Sequence, residues 1–282
     1  MNRRHVVYTT IGLAGIAGYA WAAYKLMRRE SLPPTEPLPV LHQGDSNLVV
    51  LAPEYGVIRV EHVDRFRRAL DRASPPLSVV IHTLGGSILA VDHIAHMLRH
   101  VQGKVTVYVP YMALSGGTMI ALAADEIVMG PTAILGPVDP QIDGWPAVGL
   151  MELIERKPPE SIDDAWMLLA LESRKAVAET RETVRAMVQS PQAVERLTSG
   201  ETTHARPISF ADARAIGLPV RTGVPPDVLV ALDDELARVA TQRGPWGPII
   251  FQADARSGLT ITRVAHLEPE RVAREERLRW RA

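Results

Sequence analysis

A chain of 282 residues with 46% hydrophobic and 22% charged residues has globular composition, and it can hold one large domain with extensions or two small ones. Its formal net charge of −1 supplies no basic field, so no nucleic-acid partner is expected. The absence of cysteine excludes thiol nucleophiles, disulfide frameworks and cysteine-based metal sites.

In chain order the first element is an apolar segment. Val6 to Tyr24 carries no charge and is flanked by Arg3 and Arg4 before it and by Lys25, Arg28 and Arg29 after it. As a helix it spans roughly 28 Å, close to the ~30 Å hydrocarbon core of a bilayer. Tyr19, Trp21 and Tyr24 suit the membrane interface. Residues 1–30 are therefore expected to be a single-pass membrane anchor, touching lipid through residues 6–24. A cleaved signal peptide processed near Ala20-Trp21-Ala22 is the alternative. Basic residues on both flanks leave the orientation open. Prolines crowd residues 32–39 (LPPTEPLP), which makes 31–46 a stiff linker.

From Asn47 strands and helices alternate. NLVVLAP (47–53), LSVVIH (77–82) and KVTVYVP (104–110) read as strands, and EIVMG (126–130) and TAILG (132–136) as shorter ones. Residues 59–73 are amphipathic at helical spacing, with Val60, Val63, Phe66 and Leu70 on one stripe. A second helix places Val91, Ile94, Leu98 and Val101 together, and Ser115 to Ala124 is a helix apolar enough to be buried. This alternation predicts βαβ units and a largely parallel sheet covered on both faces. Ser161 and Asp164 have the spacing of a capping box for a long helix reaching about Val188, with Ala170, Val177 and Val184 on its stripe. The domain is expected to occupy 47–222, and 223–282 to be a helical extension ending in an arginine-rich tail.

Two glycine pairs carry the chemical signal: HTLGGS at 82–87 and ALSGG at 113–117. The first closes a strand before a helix, where ligands of parallel α/β sheets bind. The second sets Ser115 at a helix N-terminus, where developing negative charge is favoured. Acyl transfer through a serine needs two backbone donors for the oxyanion, and glycine lets backbone approach substrate closely. Ser115 is thus the candidate nucleophile, with Gly116 after it and Gly85 or Gly86 opposite as candidate donors. The plain alternatives are a tight turn for each glycine pair and a helix cap for Ser115. GGS does not continue to Gly-Lys-Ser/Thr, so no phosphate loop is present.

HTLGG followed by KVTVYVPYMALSGGTMIALAADEIVMGPTAILGPVDPQI resembles the Clp-fold serine peptidases of the serine dehydrogenase proteinase family, related to signal peptide peptidase A. The similarity runs from about residue 47 to 222 and is strongest over 79–142. It implies a Clp protease/crotonase-like α/β fold of stacked βαβ units. It also implies a serine nucleophile in SGG, an oxyanion hole from the upstream glycines, and protein or peptide substrates handled by a homo-oligomer without a cofactor. Leu84 departs from the proline usual before those glycines.

The base is less legible. Clp protease relatives carry a histidine about 25 residues after the serine, where this chain reads VDPQI. Relatives of signal peptide peptidase A use a lysine roughly fifty residues downstream. Lys157 matches that placement and is the expected base, Lys175 is the second candidate, and a histidine from elsewhere or no base at all remain open. His82 could line the site or pack in the core, and His93, His96 and His100 share a helix face without a further ligand, so no metal is expected. Asp139 could orient a loop or mark a turn, and His204 in THARPIS has no assigned role. A membrane-anchored serine endopeptidase with a Ser115–Lys157 dyad is the favoured reading. A crotonase-type acyl-CoA enzyme and a catalytically silent scaffold are the alternatives.

Overall fold

A computed structural model describes residues 47–53, 56–242, 249–254 and 258–263. The expected anchor, the linker and the arginine-rich end lie outside the described residues. Among the described residues no helix is long and apolar enough to cross a membrane.

Five parallel strands form the central sheet: β1 (Leu48–Leu51), β3 (Leu77–Ile81), β5 (Val105–Val109), β7 (Glu126–Met129) and β12 (Val220–Thr222), in the order β1-β3-β5-β7-β12. The strands are nearly continuous apolar runs because both sheet faces are covered. Alternate residues sort into two cores. Val49, Leu51, Val79, Ile81, Val107 and Ile127 face one side, where they meet helices α1 (Val60–Leu70), α2 (Ile88–Arg99) and α3 (Gly116–Leu122). Leu48, Val50 and Val80 face the other, covered by Val228, Ala231 and Leu232 of α8 (Pro226–Gln242). A helix that begins after residue 222 therefore closes the second face of the sheet.

Between β3 and α2 the glycine pair forms β4 (Gly85–Gly86), parallel to β2 (Val57–Ile58). A small second sheet joins β6 (Met112–Ala113), β8 (Ile134–Leu135) and β11 (Ile208–Ser209) in the order β11-β8-β6. Ala113 pairs with Leu135 in parallel, and Leu135 with Ile208 in antiparallel sense. The hairpin of β9 (Gln141–Ile142) and β10 (Trp145–Pro146) leads into α4 (Ala147–Glu155), which packs on the long α5 (Asp164–Met187). Helices α6 (Pro191–Thr198) and α7 (Phe210–Ala215) follow, and a hairpin of β13 (Ile249–Asp254) and β14 (Gly258–Arg263) lies beyond α8.

Three local expectations are corrected. The buried stripe of α1 is His62, Phe66 and Ala69, and Val60 is exposed. The reason is local: His62 Nδ1 accepts the Arg59 N–H at 2.8 Å, which turns that residue inward at the helix start. The α5 cap is Asp163, whose carboxylate accepts the Ala165 N–H at 2.9 Å, whereas Ser161 donates to the Pro158 carbonyl in a preceding 3-10 turn. The buried stripe of α5 is Ala170, Ser173, Thr180 and Val184, with Val177 only half-buried.

Leu232 is fully buried against the outer face of the sheet. Leu232→Ala should lower the unfolding free energy by about 2–5 kcal/mol in urea titrations, without altering the secondary-structure content of the folded state.

Candidate active site

The site grows from Thr83, the second residue after β3, which is fully buried. Its hydroxyl donates to the Gly56 carbonyl at 2.7 Å and accepts the Gly85 N–H at 3.0 Å. Its backbone bridges to the serine segment: the Thr83 N–H donates to Met112 O (3.3 Å) and the Leu114 N–H donates to Thr83 O (3.0 Å). The two glycine motifs are thus tied into one unit.

The approach between them is close. Gly85 has φ 109, and a Cβ there would lie 2.8 Å from Ser115 Cβ and 3.1 Å from Gly116 N. On the serine side, a Cβ at Gly116 would lie 2.4 Å from Val91 Cγ2, and one at Gly117 would lie 2.5 Å from Thr83 Cγ2. Both glycines of SGG are therefore required by the packing of α3 against α2 and Thr83.

Ser115 itself has φ 49 and ψ −117, a sparsely populated conformation for a residue with a side chain. It stands before α3 without capping it, and its hydroxyl makes no hydrogen bond among the described residues. The cap reading of this serine is therefore excluded. The Gly116 N–H occupies the first helical position, whose amide an α-helix leaves without an intrahelical carbonyl. Opposite, the Ser87 N–H donates to Ile58 O at 2.9 Å, and the alternation of a parallel ladder turns the Gly86 N–H toward the other edge of β4. The Gly85 N–H is already used by Thr83, which makes Gly85 a contact residue of Ser115 instead of an oxyanion donor.

A second threonine secures the other side. Thr118, fully buried on α3, donates to Ala113 O at 2.7 Å and accepts the Gly136 N–H at 3.0 Å. This joins the serine segment to the chain leaving β8, and four residues past β8 that chain presents Asp139. Asp139 is 3% exposed, and its carboxylate has two partners: Gln141 Nε2 at 3.0 Å and His204 Nδ1 at 2.9 Å. Toward an ionised carboxylate, which only accepts, His204 Nδ1 is the donor of this pair and Nε2 the acceptor nitrogen.

The small sheet brings this pair to the serine's end. Ala113, Leu135 and Ile208 lie abreast across β6, β8 and β11. Ser115 follows Ala113 by two residues, Asp139 follows Leu135 by four, and His204 precedes Ile208 by four on the antiparallel strand. All three leave the sheet at the same end. Sequence reading named Asp139 and His204 without connecting them, because 65 residues separate the two.

Of the two candidate lysines, Lys157, just past α4, is exposed. Lys175 is exposed on α5 and paired with Glu172 at 2.6 Å, and that hydrogen bond raises its pKa, the direction opposite to a base. His82 packs edge-on against Tyr111 with ring centroids 5.9 Å apart, its Nδ1 is buried without a partner among the described residues, and burial lowers its pKa. His93, His96 and His100 are exposed, and among the described residues no group of three or more histidines and carboxylates is arranged to hold a metal.

A parallel α/β sheet that presents a strained serine against a glycine pair defines a serine-hydrolase type of site. The chain belongs to the ClpP-like SDH-type serine proteinases, whose family model matches residues 24–245. An uncharacterized protein of Methanocaldococcus jannaschii is 36% identical over 204 residues, covering 69% of this chain and 71% of its own. A second uncharacterized protein of the same organism is 34% identical over 227 residues, covering 74% and 77% respectively. Among solved structures, a ClpP1 mutant from Listeria monocytogenes aligns with a TM-score of 0.46 at 17% identity, covering 65% of this chain and 95% of its own. A mutant of the membrane-bound stomatin-specific protease 1510-N aligns with a TM-score of 0.42 at 18% identity, covering 65% and 81%.

Thr83→Val keeps the buried shape and removes the hydroxyl that holds Gly85. It should fold, with a stability loss of about 1–3 kcal/mol, and lose at least about tenfold in the rate at which a fluorophosphonate modifies Ser115. Stopped labelling time courses and a thermal melt on the same sample check both parts.

Proposed function

We propose that the chain is a serine endopeptidase in which Ser115 attacks the peptide carbonyl, the Gly86 and Gly116 amides receive the oxyanion, and His204 oriented by Asp139 is the general base. The observation that carries this reading is the backbone of Ser115 (φ 49, ψ −117), held strained against Gly85 with its hydroxyl uncommitted. In the proposed sequence the Oγ–carbon bond forms as the Oγ proton passes to His204 Nε2 and the carbonyl electron pair moves to oxygen. Collapse of the intermediate breaks the C–N bond, and the leaving amine takes the proton from the imidazolium. Water, deprotonated by the same nitrogen, then releases the acyl group and regenerates the serine.

His204 takes the role expected of Lys157 on two grounds. A buried carboxylate fixes its tautomer, and the small sheet carries it to the serine's end, whereas Lys157 lies in solvent. Fluorophosphonate labelling followed by peptide mass spectrometry tests the whole assignment. Ser115 is the expected modified residue, and Ser115→Ala abolishes labelling. His204→Ala lowers peptide hydrolysis on the order of 10⁴-fold, while Lys157→Ala stays within about twofold of the parent. A loss confined to Lys157→Ala would restore the Ser–Lys dyad.

The reading extends to membrane attachment through residues 6–24 and to assembly of several copies, supported by the length and apolar character of that segment and by the family resemblance. Full-length protein should stay in the membrane pellet after carbonate extraction, and a chain lacking residues 1–30 should appear in the supernatant.

A further inference from the structure

The histidines near the end of α2 take no part in the serine chemistry. His93, His96 and His100 follow one another at spacings of three and four, on the side of the helix away from the buried Val91, Ile94 and Leu98. All three are exposed. A polar helix face is usually no more than solvated, but two of these rings are brought together. His96 and His100 stand with ring centroids 4.1 Å apart and planes tilted by 44°. Two imidazoles that bind one ion side by side, with bonds of about 2.0–2.1 Å, place their nitrogens roughly 3 Å apart. Rings at the observed separation reach that arrangement by side-chain rotation, with no change of backbone.

The hydrogen bonding leaves a ligating nitrogen open. His100 Nδ1 lies 2.8 Å from the His96 carbonyl oxygen, which only accepts, so Nδ1 donates and the neutral ring carries its lone pair on Nε2. A metal-binding histidine characteristically has its other nitrogen held in this way. The His96 ring makes no hydrogen bond among the described residues. Charge at this end of the helix favours a cation. The C-terminus of α2 is the negative pole of the helix. Asp92 stands one turn before His96, and burial followed by the Glu179 carboxylate of α5 raises its pKa, so two carboxylates lie within electrostatic reach of each other there. Arg99, in the last turn, is the opposing charge, one guanidinium against two carboxylates.

We propose that His96 and His100 chelate a divalent transition-metal ion of the zinc, nickel or copper type across the last turn of α2, with water filling its remaining positions. Asp92 and Glu179 act on the ion through space and are not its ligands. Imidazole nitrogens select against magnesium and calcium, which take oxygen ligands. With two protein ligands the ion is exchangeable, unlike the ion of a closed four-ligand structural site. Because it binds the helical arrangement of the pair and not the unfolded chain, it stabilises the end of α2. The site faces away from Val91, which packs on Gly116, and it does not rest on the Ser115 reading.

The test is calorimetric titration of untagged full-length protein with zinc chloride at about pH 7.5. Zinc should bind with an affinity on the order of micromolar. His96→Ala and His100→Ala should each weaken it at least about tenfold, and His93→Ala should leave it within about twofold. The three positions are exposed, so the variants should keep the parent circular dichroism spectrum. Affinity should fall as the pH is lowered from about 7.5 to about 5.5, because protons compete for the same nitrogens. With copper(II), electron paramagnetic resonance should show two coupled imidazole nitrogens in the parent and one in each single variant. Zinc binding that survives in the His96→Ala/His100→Ala double variant assigns the ion to other residues and overturns the proposal. Displacement of zinc by equimolar magnesium, or a loss on His93→Ala as large as on His96→Ala, would overturn it as well. Fluorophosphonate labelling reports on Ser115 alone, so the two readings fail separately.

Discussion

The site depends on the hydroxyl of one buried threonine, Thr83, which holds the Gly56 carbonyl and the Gly85 amide while its backbone holds Met112 and Leu114. A hydroxyl has one proton to donate and two lone pairs to accept with; here the proton goes to the Gly56 carbonyl and a lone pair takes the Gly85 amide, which joins two loops. The Thr83 methyl matters equally, because Gly117 packs on it so closely that no Cβ fits between them. From these contacts follow the glycine at 117, the approach of Gly85 to Ser115, and the strained backbone of the serine itself. A residue held at positive φ persists only where its surroundings over-determine it, and Thr83 on one side with Thr118 on the other supply that constraint.

The central sheet and the small sheet divide the work. The parallel sheet supplies rigidity, with two apolar cores pressing on it from both faces. The small sheet supplies convergence: its three short strands aim loops from positions near 115, 139 and 204 toward one end. Asp139 illustrates the physical cost of such convergence. A carboxylate 3% exposed is tolerable only when its lone pairs are met, and His204 and Gln141 meet them. The same burial that demands partners also fixes the histidine's tautomer.

Particular elements show where sequence reading succeeds and where it stops. The strands at 48–51, 77–81 and 105–109 are legible because residues buried on both faces leave unbroken apolar runs. Ser115 and the glycine pairs are legible because close backbone approach admits almost no other residue type. The α1 stripe is misjudged at Val60, since a polar residue, His62, takes the inward position by accepting a backbone amide. Spacing along the chain singled out Lys157, and its exposure could not be read from that spacing.

The amino-acid sequence by itself determined the alternation of strands and helices, the candidate serine and the glycines beside it, because each follows from local periodicity or from the steric demands of a single position. The tertiary structure alone decided that the Gly85 amide is spent on the Thr83 hydroxyl, that α8 closes the sheet, and that Asp139 finds His204 across 65 residues. Those outcomes depend on which buried group satisfies which other. Hydrogen-bond satisfaction is a property of neighbours in space, and only folding chooses the neighbours.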